Sequence, residues 1–296
     1  MIEPPGDVVV ATEVAATAAR QWGLPSPELI RLGMNALFAA GDDVVIRVGR
    51  PTSDPRGAIL LASILAERGV RGPRYVRDFP VVVGALVATA IAREDQVGAI
   101  DWTEVGAMVA RVHAIDPADV APHYPVPHCS TFPWWQFDRL LSEVDDLLDA
   151  AARAGLVTAV RRNEHWRERW LSAGAEARKL CHGDVHPGNV LFTSDGPMLI
   201  DWDLLCVGPN SWDHGPLMTW TERWGGASVV YDRFAEGYGA SLRGDPVAEA
   251  IAELRLVAAT LMRLRAGRTD PVAAAEAEQR LRWWRGDPDA PPWTAA

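Results

Sequence analysis

The chain is short of cysteine, of long apolar runs and of positive charge, and each shortage excludes a class of protein. Its three cysteines, Cys129, Cys181 and Cys206, cannot all pair, and none falls in a CxxC. Neither a disulfide framework nor a thiol zinc or redox motif is encoded, and all three read as small buried core residues in a reducing compartment. The longest apolar stretch, VVVGALVATAIA at 81–92, falls short of the roughly 20 residues that a membrane-spanning helix needs. Its β-branched content predicts one or two buried strands instead. The opening MIEPPGDVVVATE carries an acid and two prolines where a secretory signal has basic residues and an apolar run. A net charge of −10 with no dense Lys/Arg block excludes a phosphate-tracking surface. These absences predict a cytoplasmic protein whose partners include neither nucleic acid nor membrane.

What is present suits one large domain or two unequal lobes: 296 residues, 48% of them hydrophobic. Up to about residue 92 the texture is strand-like and rich in turns. ALFAAGDDVVIRV (36–48) predicts a hairpin around Gly41 and Asp42, and DPRGAILLASILAERGV (54–70) predicts the single helix of this part, with Asp54 as cap and Pro55 at its first position. From Asp101 helices dominate. Apolar spacing predicts them over 101–115, 134–155, roughly 157–178 and 246–266. The Pro/His-rich segment 116–133 is too long for a mere connector, which marks it as functional or mobile. The expectation is an α+β chain, with residues 1–92 forming a small antiparallel sheet lobe with one helix and residues 93–296 a larger, mainly helical lobe.

The densest chemistry lies in LCHGDVHPGNVLF (180–192), followed by PMLIDWDLL (197–205), with FTSDGP as the turn between them. This reads as a hairpin that brings Asp184, Asn189 and Asp201 to one end. Carboxylates in an apolar strand are costly to bury unless they meet a cation or hydrogen-bond donors. A hard ion such as Mg²⁺ takes one or two protein oxygens and completes its shell with water and phosphate. Asn189 and Asp201 suffice for that, leaving Asp184 to accept a hydroxyl proton and orient the oxygen for attack on phosphorus. A zinc site on His182, Asp184 and His186 is disfavoured, because Gly183, Pro187 and Gly188 make the segment a loop and no further ligand completes the set.

HGDVHPGN followed by LIDWD resembles the catalytic loop and metal segment of the aminoglycoside phosphotransferase and choline kinase-like family, a branch of the protein-kinase-like fold. GMNALFAAGDDVVIRV is similar to its nucleotide-covering hairpin, VVVGALVATAIARE to the strand entering the hinge, VGAMVARVHAI to a helix ending in histidine, and WDHGPL (212–217) to the start of a later helix. The resemblance implies a bilobal enzyme that uses ATP or GTP with Mg²⁺ to phosphorylate an alcohol. It implies Asp184 as base or hydroxyl-orienting residue and Asn189 and Asp201 as metal ligands. Arg47 then holds phosphate, Asn35 contacts phosphate or shapes its turn, and Thr89, Ala90 and Ile91 flank adenine. His182, Asp203 and Asp213 support the loop, with Asp203 alternatively facing substrate and Asp213 a helix N-cap candidate.

Two departures from the family pattern are visible. Arg47 stands where a lysine is usual, keeping the charge with a different geometry. Ala58 stands where the helix would offer that cation a glutamate, so another carboxylate must substitute or none is needed. A GxGxxG loop is also absent. The alternative these departures leave open is an inactive nucleotide-binding module. For the acceptor, 13 tryptophans and an acidic balance point to a cationic small molecule, such as a basic antibiotic, with a choline-like amino alcohol as runner-up. Asp138, Glu143, Asp145, Asp146 and Glu222 are candidates for its acidic wall or else solvated helix faces, and Trp134, Trp135, Trp202, Trp212, Trp220 and Trp224 are candidates for its aromatic wall, though most tryptophans read as core residues.

Overall fold

Strand β3 (Val44–Gly49) alternates about Arg47: Ile46 and Val48 are fully buried while Arg47 between them points to the other face. That alternation sets the first of two structural units in a computed structural model that describes residues 7–33, 35–51 and 54–294. The unit takes the chain up to Asp101 together with Ile115–Val126 and Pro187–Asp203. Its antiparallel sheet has the order β1-β2-β3-β5-β4, built from β1 (Glu28–Leu32), β2 (Ala36–Ala39), β3, β4 (Val81–Val83) and β5 (Leu86–Ala92). The hairpin expected at 36–48 is β2–β3. The apolar run 81–92 is the β4–β5 hairpin, turned at Gly84 with φ 58°.

Helix α1 (Val8–Trp22) packs Ala11, Val14, Ala15, Ala18 and Trp22 against Phe38, Ile46, Val48, Ala88 and Ala90. This part therefore carries two helices where the sequence predicts one. The valines at 8–10 read as strand, but Asp7 caps the first turn, Gly23 ends the helix at φ 64°, and the alanine stripe fits the sheet closely. Context outweighs β-propensity here. Helix α2 (Gly57–Glu67) begins later than Asp54 and Pro55 suggest, because the Asp54 carboxylate instead closes the preceding turn on the Arg56 N–H at 2.8 Å. Residues 1–6, which open the segment MIEPPGDVVVATE, lie outside the described residues.

The later segments of this unit are short. Helix α4 (Pro117–Val120) interrupts the expected loop, and its Asp119 pairs with Arg68 at 2.7 Å. Strands β7 (Val190–Thr193) and β8 (Gly196–Leu199) form an antiparallel hairpin.

The second unit comprises Trp102–Ala114, Pro127–His186 and the chain from Leu204 onward. It contains α3 (Trp102–His113), the strand pair β6 (Lys179–Cys181) and β9 (Cys206–Gly208), and eight further described helices after α4. The continuous helix expected at 134–155 is broken into α5 (Phe137–Glu143) and α6 (Ala150–Arg162), since Asp149 caps a new helix by accepting from the Ala152 N–H. Helix α7 (Trp166–Ser172) follows. Then come α8 (Ser211–Met218), α9 (Trp220–Trp224), α10 (Val229–Tyr238), α11 (Pro246–Ala266) and α12 (Pro271–Trp284).

Helix α11 runs through two cores, one with Leu156, Leu261 and Trp284, the other with Trp135, Trp166 and Trp212. Helices α3 and α10 meet at glycines: a Cβ on Gly106 would stand 2.0 Å from the Phe234 carbonyl oxygen. Among the described residues, no helix is long and apolar enough to cross a membrane. The class is α+β as expected: an antiparallel sheet in the N-terminal region and a mostly helical remainder.

Candidate active site

The loop after β6 is built around a buried carboxylate. Asp213, fully buried in the first turn of α8, accepts hydrogen bonds from the His182 and Gly183 N–H groups, both at 2.8 Å, and from His113 Nε2 at 3.0 Å. Asn210, not Asp213, caps the helix. Burial opposes charge on both partners. Even so, the His113 hydrogen bond holds Asp213 below the usual carboxylate range, and the pairing with Asp213 lifts His113 to about 9. Tyr238 fixes the other ring nitrogen of His113 at 2.9 Å. Gly183 sits at φ 98°, and a Cβ there would lie 1.9 Å from the Leu204 carbonyl oxygen, so only glycine follows this path.

These contacts present Asp184. Its N–H donates to His182 Nδ1 at 3.3 Å, and its carboxylate lies 3.4 Å from Arg255 Nη1 and 3.5 Å from His186 Nε2, with 34% of the side chain exposed. Burial raises its pKa, but His186 first and Arg255 next outweigh that and keep it below the usual value. Arg255 also donates to the Gly183 carbonyl and lies over Trp212 at 4.9 Å. It was not singled out from the sequence. The available signal was an arginine flanked by leucines in an apolar helix, where a buried charge requires partners.

A cavity of about 350 Å³ within the second unit is bounded by Asp184 and His186 at one part of its wall and by Trp220, Trp224, Arg263 and Arg280 elsewhere. Trp220 and Trp224 stack at 6.1 Å. The other tryptophans named from the sequence do not line it; Trp135 and Trp212 are core residues. None of the five acids named as candidates for a substrate wall lines this cavity either. Arginines take three of them: Glu143 pairs with Arg139 at 3.4 Å, Asp145 with Arg153 at 2.6 Å, and Asp146 with Arg268 at 2.5 Å.

In the first unit, Asn189 and Asp201 lie at one end of the β7–β8 hairpin, where the Ile200 N–H donates to the Asn189 carbonyl at 3.0 Å. Asp201 is the one non-glycine residue with positive φ, 62°, among the described residues, a conformation that costs energy and concentrates at working sites. Asp203 pairs with Arg47 at 2.5 Å and accepts from Asn35 Nδ2 at 3.5 Å. The partner that Ala58 fails to supply is therefore Asp203. Asn35 Oδ1 is buried without a partner and would fall 2.0 Å from a Cβ on Gly49, which must be glycine to admit it.

Arg47 and Thr89 face one another across the β3–β5 pairing, on the side of the sheet away from α1, and Thr89 Oγ1 is buried and unpartnered. Ile91 shares that face. Ala90 does not: it points into the α1 core, and its carbonyl accepts from the Val76 N–H at 2.9 Å. Met34, within the expected phosphate-covering turn, lies outside the described residues.

The second unit thus carries a loop-borne carboxylate locked by a buried aspartate, and the first unit a hairpin-borne Asn/Asp pair. The sequence matches the phosphotransferase enzyme family over residues 58–256, and the chain belongs to that family. No curated protein sequence matches it. Among solved structures it is similar to the GDP and kanamycin complex of APH(2")-IIia, at 17% identity and TM-score 0.69 over 95% of this chain and 99% of that one. It is similar also to amicoumacin kinase hAmiN with AMP-PNP, Ca²⁺ and Ami, at 11% identity and TM-score 0.66 over 97% of each chain. A third likeness is to the macrolide 2'-phosphotransferase MphH from Brachybacterium faecium, at 18% identity and TM-score 0.54 over 90% and 97%. At such identities the likeness is one of fold.

Proposed function

We propose that the protein is an ATP- or GTP-dependent, magnesium-assisted phosphotransferase acting on a hydroxyl of a small molecule. In this reading residues 1–92 serve nucleotide binding and residues 93–296 carry catalysis and the acceptor. The observation that carries it is Asp184: an ionised, partly exposed carboxylate on a loop held by two backbone N–H bonds to Asp213, opening on a ligand-sized cavity. Asp184 orients the acceptor hydroxyl and takes its proton as that oxygen bonds to the γ-phosphorus and the nucleoside diphosphate leaves. Arg255 is a positioning residue that keeps the carboxylate aimed.

Arg47, itself oriented by Asp203, binds phosphate oxygens, and Thr89 and Ile91 offer the nucleotide the same face of the sheet. Asn189 and Asp201 fit magnesium: both offer oxygen donors, and the strained backbone at Asp201 is the kind of distortion found at ion and substrate sites. When bound, the ion screens the charge of the nucleotide's phosphates.

Antibiotics in the solved structures of similar fold, kanamycin and spectinomycin among them, support an antibiotic-type acceptor. The cationic acceptor expected from composition gains no support from this cavity, whose walls carry three arginines and none of the five candidate acids. The test is release of ADP or GDP with Mg²⁺ against a panel of aminoglycosides, macrolides and simple alcohols. Acceptor-dependent turnover should vanish in Asp184→Ala while nucleotide affinity stays near wild type; turnover surviving that change would remove Asp184 from the chemistry.

A further inference from the structure

Two of the cavity's arginines share a single carboxylate. Arg263 hydrogen-bonds Glu276, while Arg280, only 5% exposed, lies 4.0 Å from the same group. Its other contacts are neutral: the Ala259 carbonyl at 2.7 Å, the Thr294 carbonyl at 3.4 Å, and the rings of Trp224 and Trp293 at 5.1 and 5.4 Å. Its Nε–H is buried without a partner. Burial first, and repulsion from Arg263 second, pull its pKa down to about 10. A buried guanidinium without its own counter-ion is expensive, and here it borders an open cavity rather than packed core. The third arginine, Arg255, is already committed to Asp184 and Gly183. The stacked indoles of Trp220 and Trp224 supply a flat apolar part of the same wall.

We propose that the acceptor taken by this cavity carries an anionic group on a flat apolar body, with its alcohol at Asp184, its body against Trp220 and Trp224, and its anion at Arg280 and Arg263. The assignment rests on the phosphotransfer reading for the place of the alcohol, and on the arginine pair alone for the charge. Carboxylate, sulfonate and phosphate share the required chemistry, because each accepts the forked donors of a guanidinium. A polyamine, by contrast, would place its ammonium groups against uncompensated positive charge.

Three probes with one ring and one primary alcohol separate the cases: para-hydroxymethylbenzoate, its amide, and para-hydroxymethylbenzylamine. Calorimetric titration of the full chain should show the benzoate binding roughly tenfold tighter than the amide, and the amine weakest, as expected for one charge-assisted pair. Arg263→Gln should narrow the benzoate-to-amide ratio and Glu276→Gln should widen it. Both side chains lie nearer the surface than Arg280, so these variants keep the test open if Arg280→Gln does not fold. Equal binding of the three probes, preference for the amine, no binding of any probe, or a ratio unmoved by both variants would overturn the proposal, and Arg280 would then be a clamp on the C-terminal segment only. Nucleotide-dependent turnover favouring the amine would sink the anion assignment and leave phosphotransfer standing; benzoate-selective binding with no phosphate transferred to any alcohol would do the reverse.

Discussion

Replacing Asp213 by asparagine keeps the shape of the buried hub and removes its charge. In the native protein burial lowers the His113 pKa, but the hydrogen bond to Asp213 outweighs it and the value rises to about 9. Because the folded value exceeds the unfolded one of about 6.5, His113 contributes stability that is full below about pH 6.5 and lost as pH climbs through about 9. A displacement from about 6.5 to about 9 corresponds to about 3 kcal/mol. In Asp213→Asn the attraction is gone, burial keeps the imidazole neutral, and that pH-dependent contribution disappears.

Urea unfolding of both proteins near pH 6 and near pH 10 measures it. Other groups titrate over this range in both chains, so the difference between the two proteins isolates the pair. The stability gap should shrink by about 3 kcal/mol from the acid to the alkaline condition. A gap that stays constant would refute the claim that His113 is held charged by Asp213, and with it the account of what locks the loop before Asp184.

Two further outcomes follow from the nucleotide side. Asp203→Ala leaves the Arg47 guanidinium without the carboxylate that orients it, so the nucleotide KM should rise roughly tenfold with the acceptor KM nearly unchanged, read from initial rates. An unchanged nucleotide KM would show that Arg47 needs no partner. Asp201→Gly relieves the left-handed backbone at φ 62° while deleting a metal oxygen; thermal stability should stay within about 1 kcal/mol of wild type as Mg²⁺-dependent turnover is lost. A large loss of stability would instead make Asp201 a structural residue.

The sequence by itself determined what short-range chemistry can specify. Glycines at 183 and 188, the proline at 187 and the acids at 184, 201 and 203 encode a loop and a hairpin with chemistry at their ends, because turn residues and buried carboxylates are costly anywhere else. The hairpin that carries Arg47 was legible for the same reason: turn residues at Gly41 and Asp42 separate two apolar runs. Helix α1 was not, since valine-rich starts favour strand locally and only the sheet it covers reverses that preference. Nor was the long helix at 134–155 seen to break, because a cap such as Asp149 acts only once the chain around it turns.

Tertiary structure alone decided the charge partners. Asp203 meets Arg47 from 156 positions away, Arg255 meets Asp184 from 71, and Glu143, Asp145 and Asp146, which composition offered to a cationic ligand, are taken by arginines. Composition counts charges, but only the folded chain decides which of them neutralise one another. The residue left over is a buried guanidinium, Arg280, beside a cavity.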